Sequence, residues 1–275
     1  MAWILRGLRD GVVTTRYPRR PDGYGATFRG AVEVTGAGQV AAEGEGPDTA
    51  GASDALFDLC PTGAITALPD PGDHVVRLDR GRCILCGRCV TRHPERFAFS
   101  PSVEVASVAR AGLVVPNGAE DEAALARLRT DLGRRVKTFR RSIYVRHVDA
   151  GSDGAEEWEI AALSNPVYDV QRLGIFFTAT PRHADVLLVS GVGTAGMAEP
   201  LRTTFDAMAD PKVVVAAGTD AVSGGLVAPT YAAGTGVGEV VPVDVFVPGS
   251  PPSPFSLLHG LLLAVGLLPS SRGPR

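Results

Sequence analysis

The sequence predicts an α/β chain in two parts, a small N-terminal α+β unit and a C-terminal parallel sheet clothed in helices. Three observations carry this. All four cysteines fall between residues 60 and 89, among short β-like and turn-rich stretches. From Gly174 onward, nearly unbroken apolar runs alternate with amphipathic segments, the pattern of strands buried on both faces of a parallel sheet. Between the two lies a basic segment of helical period. The divisions expected are 1–115, 116–141 and 142–275.

Residues 1–35 read as a short helix followed by extended chain. The stretch Ala37 to Ala55, rich in Gly, Ala, Asp and Glu and without periodicity, reads as a mobile loop. Leu56 to Leu68 opens with a helical turn and carries Cys60. HVVRL is β-like and leads into RCILCGRCVTRHP, and FAFSPSVEVASV extends from it.

Cys83, Cys86 and Cys89 have C-x2-C-x2-C spacing, which wraps three thiolates around one face of an iron–sulfur cubane, as in ferredoxins. A fourth donor must come from elsewhere, and Cys60 before Pro61 has the form of the Cys-Pro that closes such runs. The four cysteines therefore close on one 4Fe-4S cluster with no thiol left over. Zinc is the other reading of four cysteines, and the tight triple with a distant Cys-Pro fits it poorly. A second cluster would need cysteines at positions 50, 53, 56 and 93, where the chain has Ala50, Ser53, Leu56 and His93. His93 reads as a surface or packing histidine. The N-terminal unit is thus expected to be ferredoxin-like.

Asn117-Gly118 signals a turn. Beyond it Leu125, Leu128, Leu132, Val136 and Phe139 recur at helical spacing as one apolar stripe. The other faces carry Arg127, Arg129, Arg134, Arg135, Lys137, Arg140 and Arg141, which suits a solvated linker helix or docking to an acidic partner or anionic headgroups. GIFFTAT, ADVLLVSG, KVVVAAGT and EVVPVDVFV are then expected strands, MAEPLRTTFDAMA a helix, and FSLLHGLLLAVGLL an apolar closing helix. Chemistry in such sheets gathers at the strand carboxyl ends, here Gly191, Thr219, Asp220 and the loop around Ser250. Gly191, Gly193 and Gly196 spell G-x-G-x-x-G after a strand, with Asp220 beyond the next, the formal dinucleotide fingerprint.

With 45% hydrophobic and 21% charged residues, the composition is globular, and a net charge of −3 gives no reason to expect nucleic acid. The N-terminus lacks the form of a signal peptide. The longest apolar run, Leu261 to Leu268, is far short of the ~20 residues of a membrane span, so no transmembrane segment is expected. A cluster with no spare thiol suggests the cytoplasm.

The motifs GVVTTRYP, FRG, CPTGAI and RCILCGRC resemble the ferredoxin-like subunit of formate hydrogenlyase-type group 4 NiFe hydrogenases. RRSIYVRHVDAGS, ALSNPVYD, RHADVLLVSG, PVDVFVPG and SPFSLLHGLL resemble the small subunit of the same enzymes, also the 20 kDa-type subunit of complex I. The chain thus resembles a fusion of the two. The resemblance implies a flavodoxin-like second domain abutting a hydrogenase large subunit or complex I 49 kDa-like subunit, with membrane-arm subunits as indirect partners. It also implies a peripheral place on the cytoplasmic face of the membrane. In that family the small subunit carries its own 4Fe-4S cluster. At the corresponding positions this chain has Asp153, Glu156, Asp220 and Ser250, hard ligands unsuited to iron–sulfide, so that cluster is expected to be absent. A polar pocket, a hard-cation site or proton handling by carboxylates are the readings open to those residues.

The expected function is electron transfer through the cluster on Cys60, Cys83, Cys86 and Cys89 in a membrane-associated oxidoreductase complex, with the second domain mainly scaffold and no catalytic residues in the chain. A purely structural subunit and a dinucleotide-dependent reductase component are the alternatives.

Overall fold

The computed structural model describes residues 2–20, 23–24, 28–35, 39–41, 56–70, 73–116, 119–139, 142–227 and 229–268. The chain is mixed α/β, with antiparallel strands first and a five-stranded parallel sheet after them. The elements are α1 (Ala2–Asp10), β1 (Ala31–Val34), β2 (Gln39–Ala41), β3 (Ile65–Asp70), β4 (Asp73–Asp79), α2 (Arg88–Arg92), β5 (Phe97–Ser100), β6 (Val114–Val115) and α3 (Ala119–Arg135). They continue with β7 (Ile143–Asp149), α4 (Ala155–Ala162), β8 (Ile175–Phe177), β9 (Val186–Ser190), α5 (Ala195–Asp206), β10 (Val213–Ala217), α6 (Thr219–Ser223), β11 (Val245–Val247) and α7 (Pro254–Ala264).

In the N-terminal part, β1 pairs antiparallel with β5, Val32 opposite Phe99. β4 runs antiparallel between β2 and β3 and also pairs with β6. The alternating strand pattern puts Val32, Ile65, Val76, Leu78 and Phe97 into one small core, with Cys60, Cys83 and Cys89 packed on it. Of the segment read as a loop over 37–55, Gln39–Ala41 is strand β2 and the remainder lies outside the described residues. Leu56 belongs to the core, at 5% exposure. The Asn117-Gly118 turn, Arg140 and Arg141 also lie outside the described residues.

The parallel sheet has the order β11-β10-β9-β7-β8. β9 and β10 are buried along their whole length, as unbroken apolar runs require when both faces are covered. Alternation divides the sheet between two cores. Val186, Leu188, Val213 and Val215 face α7 and α3, whereas Leu187, Val189, Val214 and Ala216 face α5 and α6.

The N-terminal arm crosses to the second part. Thr15 N–H donates to Val167 O, and Tyr17, Phe28 and Tyr168 set their rings edge-on to Phe255 at 6.0, 5.6 and 5.0 Å. Residues 106–107 return the contact. Ala106 N–H donates to His259 Nδ1 at 3.2 Å, and Ser107 bridges Phe246 antiparallel.

Helix α3 buries Leu125 and Leu132, with Val136 continuing the stripe, but Leu128 is 45% exposed. Its cations Arg127, Arg129, Arg134 and Arg135, and Lys137 just beyond it, are exposed. Arg134 pairs with Asp131, and Arg135 with Asp244.

Candidate functional site

The cysteine loop hangs from the end of β4. Asp79 accepts both guanidinium NH groups of Arg110 at 2.6 Å and the Gly81 N–H at 2.9 Å. Arg80 N–H donates to Leu113 O. This fixes where residues 82–89 begin. The loop then folds back on itself, with Leu85 at φ 54° and Gly87 at φ 76°. Gly87 caps α2, which carries Cys89. On the other side Cys60 starts a tight turn, its carbonyl accepting from Gly63 N–H at 3.1 Å with Gly63 at φ 61°.

These turns bring Cys60, Cys83, Cys86 and Cys89 to the wall of one small cavity of about 20 Å³, completed by Val32, Ile65, Leu78 and Ile84 among others. Backbone N–H groups point at the sulfurs. Ala64 N–H donates to Cys60 Sγ at 3.3 Å, and Leu85 and Val90 N–H groups serve Cys83 and Cys89. Burial pushes the Cys83 thiol up to about 12, against the opposing Leu85 N–H, and raises Cys89 for the same reason. Such a pocket resists bare thiolate charge, which a bound cationic metal would compensate. Soft sulfur donors, amide dipoles and apolar walls fit an iron–sulfur cluster. His93 stands outside, its Nδ1 3.1 Å from Glu95 Oε1.

The cysteine loop is hydrogen-bonded to the end of the parallel sheet. Thr219, fully buried, donates from Oγ1 to Cys83 O at 3.1 Å and accepts Gly249 N–H at 3.2 Å. The residues on either side of it face the second candidate site. A Cβ at Gly218 would fall 2.5 Å from Glu156 Oε1, so Glu156 lies directly on that backbone. Asp220 and Asp153 lie close enough for their charges to act on Glu156. Glu156 is 1% exposed, and neither carboxyl oxygen has a hydrogen-bond partner. Burial first, and the acidic neighbours next, raise it to about 7. Asp220 is raised by burial and by Asp153. Ser250 follows Gly249 on a cis Ser250-Pro251 bond; among the described residues no hydrogen bond joins its hydroxyl to the three carboxyls. No group of three or more His, Cys, Asp or Glu among the described residues is gathered to hold a single metal ion.

Sequence reasoning missed the neighbouring polar network. Glu157 accepts the hydroxyls of Ser152, at 2.7 Å, and Ser190. His147 Nε2 lies 2.9 Å from Ser190 Oγ. Burial holds His147 below its ordinary range despite Glu157 and Asp149. The available signal was position, since His147 and Ser190 lie at the carboxyl ends of β7 and β9.

Packing explains Gly191 and Gly193 of the glycine loop, whereas a Cβ at Gly196 would meet nothing within 4 Å. A Cβ at Gly191 would meet the Gly151 backbone at 2.5 Å, and one at Gly193 the Gly236 carbonyl at 3.2 Å. Thr194 and Ala195 N–H groups, which would face a phosphate at a helix start, donate instead to Ala150 O and Ala232 O.

A cysteine-lined ferredoxin unit joined to a three-layer α/β sheet defines an iron–sulfur subunit of the complex I and hydrogenase type. Residues 154–264 match the NADH ubiquinone oxidoreductase 20 Kd subunit, residues 76–131 match a 4Fe-4S single cluster domain, and the chain belongs to the 20 Kd subunit family. It is similar to formate hydrogenlyase subunit 7 of Escherichia coli, 37% identical over 166 residues that cover 59% of this chain and 63% of that subunit. It is likewise 37% identical over 139 residues to the probable membrane-bound hydrogenase subunit mbhJ of Pyrococcus furiosus, covering 50% of this chain and 83% of the other. A chain of the membrane-bound sulfane sulfur reductase, an archaeal respiratory membrane complex, aligns over 48% of this chain and 73% of its own length, at 26% identity and a TM-score of 0.43. The stretch 154–264 contains no cysteine.

Proposed function

We propose that this chain is the electron-transfer subunit of a membrane-associated oxidoreductase complex related to hydrogenases and complex I. In this reading it carries a single 4Fe-4S cluster on Cys60, Cys83, Cys86 and Cys89. The observation that carries this is that every cysteine of the chain borders one cavity. A cluster there would supply one-electron storage. The chain's residues supply four thiolates, N–H dipoles at Ala64, Leu85 and Val90 that ease sulfur charge, and apolar walls that keep water from the site. Cys86, the exposed member, marks the side from which an electron partner approaches.

The parallel sheet acts as scaffold for a large catalytic subunit of the hydrogenase or complex I 49 kDa kind, which links this chain indirectly to membrane-arm subunits. No helix among the described residues is long and apolar enough to cross a membrane, which supports a peripheral place, on the cytoplasmic side. The domain division proposed is 1–115, 116–141 and 142–275. A purely structural role is favoured by one observation, the lack of cysteine in 154–264, which leaves no second cluster to pass an electron through the sheet.

The test is anaerobic reconstitution of the full chain. Iron and acid-labile sulfide of about four each per chain, with a reducible cluster signal lost in Cys86→Ala, are expected. Stoichiometric zinc, or iron near eight, refutes the single-cluster assignment. A cluster that no low-potential donor reduces makes the role structural.

A further inference from the structure

We propose that Glu156 is a proton-binding site, neutral in the folded chain near neutral pH, that exchanges its proton with solvent by way of Asp220 and Asp153. The site is distinct from the cysteine cavity, to which Thr219, between Gly218 and Asp220, links it through Cys83 O.

The geometry is that of an acid and not of a carboxylate. Glu156 sits in the second position of α4, 1% exposed, with both oxygens buried and unpartnered. It lies against Gly218 so closely that even a methyl there would overlap it. Beyond its own backbone N–H, which opposes the shift, no donor reaches either oxygen, and a buried carboxylate so placed is costlier than the neutral acid. The adjacent Glu157 makes the contrast, since each of its oxygens accepts a serine hydroxyl.

The titratable groups that face Glu156 are Asp153 and Glu157 from its own turn and Asp220 from α6. All are acidic, so every one of them favours a proton on Glu156 and none supplies a counter-charge. Burial is the larger cause, and together these raise it to about 7. The three carboxyls are graded outward. Glu156 is buried, Asp220 half-buried and Asp153 exposed. When Glu156 ionises, its proton passes by way of a water to an Asp220 or Asp153 carboxylate, no direct hydrogen bond joining them, and then to solvent, and on acidification the same path returns it. No electron or covalent bond other than O–H is involved.

Infrared spectroscopy of the purified full chain between about pH 5 and about pH 9 tests this. The expected result is a protonated-carboxyl stretch that shifts in deuterium oxide, disappears with a midpoint near 7, and is absent in Glu156→Gln. Isotopic labelling of glutamate carboxyls assigns the band in the unsubstituted chain, so the test survives if that variant fails to fold. Asp220→Asn and Asp153→Asn are expected to lower the midpoint and slow deuterium exchange of the band. Absence of any glutamate band above about pH 6, its persistence in Glu156→Gln, or its loss on adding magnesium overturns the assignment. Aspartate variants with unchanged midpoint and exchange overturn the path.

Discussion

Replacing Thr219 with Val removes the side-chain hydrogen bond that, among the described residues, ties the cysteine loop to the parallel sheet, while keeping its shape. Two hydrogen bonds go, from Oγ1 to Cys83 O at 3.1 Å and from Gly249 N–H to Oγ1 at 3.2 Å. The bond from Gly249 N–H is buried, so water does not replace it, whereas Cys83 O lies on a part-buried bond. An orphaned buried donor or acceptor costs about 1–3 kcal/mol. With Cys83 only partly covered, the sum expected is about 2–4 kcal/mol. Thr219→Ser keeps the hydroxyl and loses one methyl, worth about 1 kcal/mol. Urea unfolding of the three proteins under anaerobic conditions measures this directly, and the Val protein should also bind iron less tightly, since loop order and ligation are coupled. A Val variant within about 0.5 kcal/mol of the parent, or a Ser variant as unstable as Val, would refute the reasoning.

Other expectations are independent of that contact. Gly218→Ala places a methyl 2.5 Å from Glu156 Oε1 at a backbone φ of 96° and should cost about 2 kcal/mol or more, read by thermal unfolding. Gly191→Ala should destabilise similarly, its Cβ 2.5 Å from the Gly151 backbone, and calorimetry with NADH should detect no binding in the parent. Arg110→Met breaks the bidentate pair with Asp79; about 1–2 kcal/mol is expected after discounting for partial exposure, together with faster proteolysis at residues 80–89. His259 titrates at about 4 when folded, below its usual 6.5, chiefly because it is buried. Its contribution is therefore complete above pH 6.5 and is lost as pH falls toward about 4, on the order of 3 kcal/mol. His259→Asn should flatten that acid limb in a stability–pH profile. Glu156 acts with opposite sign, since its raised value favours folding below the unfolded value and the benefit fades as pH rises through about 7.

How much of this was readable depended on the range of the interaction concerned. The cysteine site was legible because C-x2-C-x2-C is a local geometric constraint, and Cys60-Pro61 is recognisable by its dipeptide. β9 and β10 announced themselves as unbroken apolar runs. β7 did not, because Arg146, His147 and Asp149 interrupt IYVRHVD, although Val145 and Val148 are buried and the strand lies between β9 and β8. In EVVPVDVFV only Val245–Val247 pairs, since Val237–Glu239 winds into a 3-10 turn and Pro242 cannot donate to a ladder. Helical period included Leu128 in the stripe, but it is 45% exposed. Asp153, Glu156 and Asp220 were singled out through resemblance; that Glu156 alone is sealed follows from Gly218, a contact across more than sixty residues. The aromatic ring set around Phe255 is equally a product of tertiary folding and has no local signature.

The bridge between Ser107 and Phe246 has a bearing on how this chain can meet others. Its two reciprocal hydrogen bonds, 2.9 and 2.8 Å, occupy the outer side of β11, where an open sheet would offer a template for a foreign strand. The far margin, β8, is three residues long, too short to recruit much of a neighbour. The sheet is therefore blunted on both sides by the chain's own covalent order, which guards a hydrophobic protein against growing by strand addition. Recognition is left to its faces and loops.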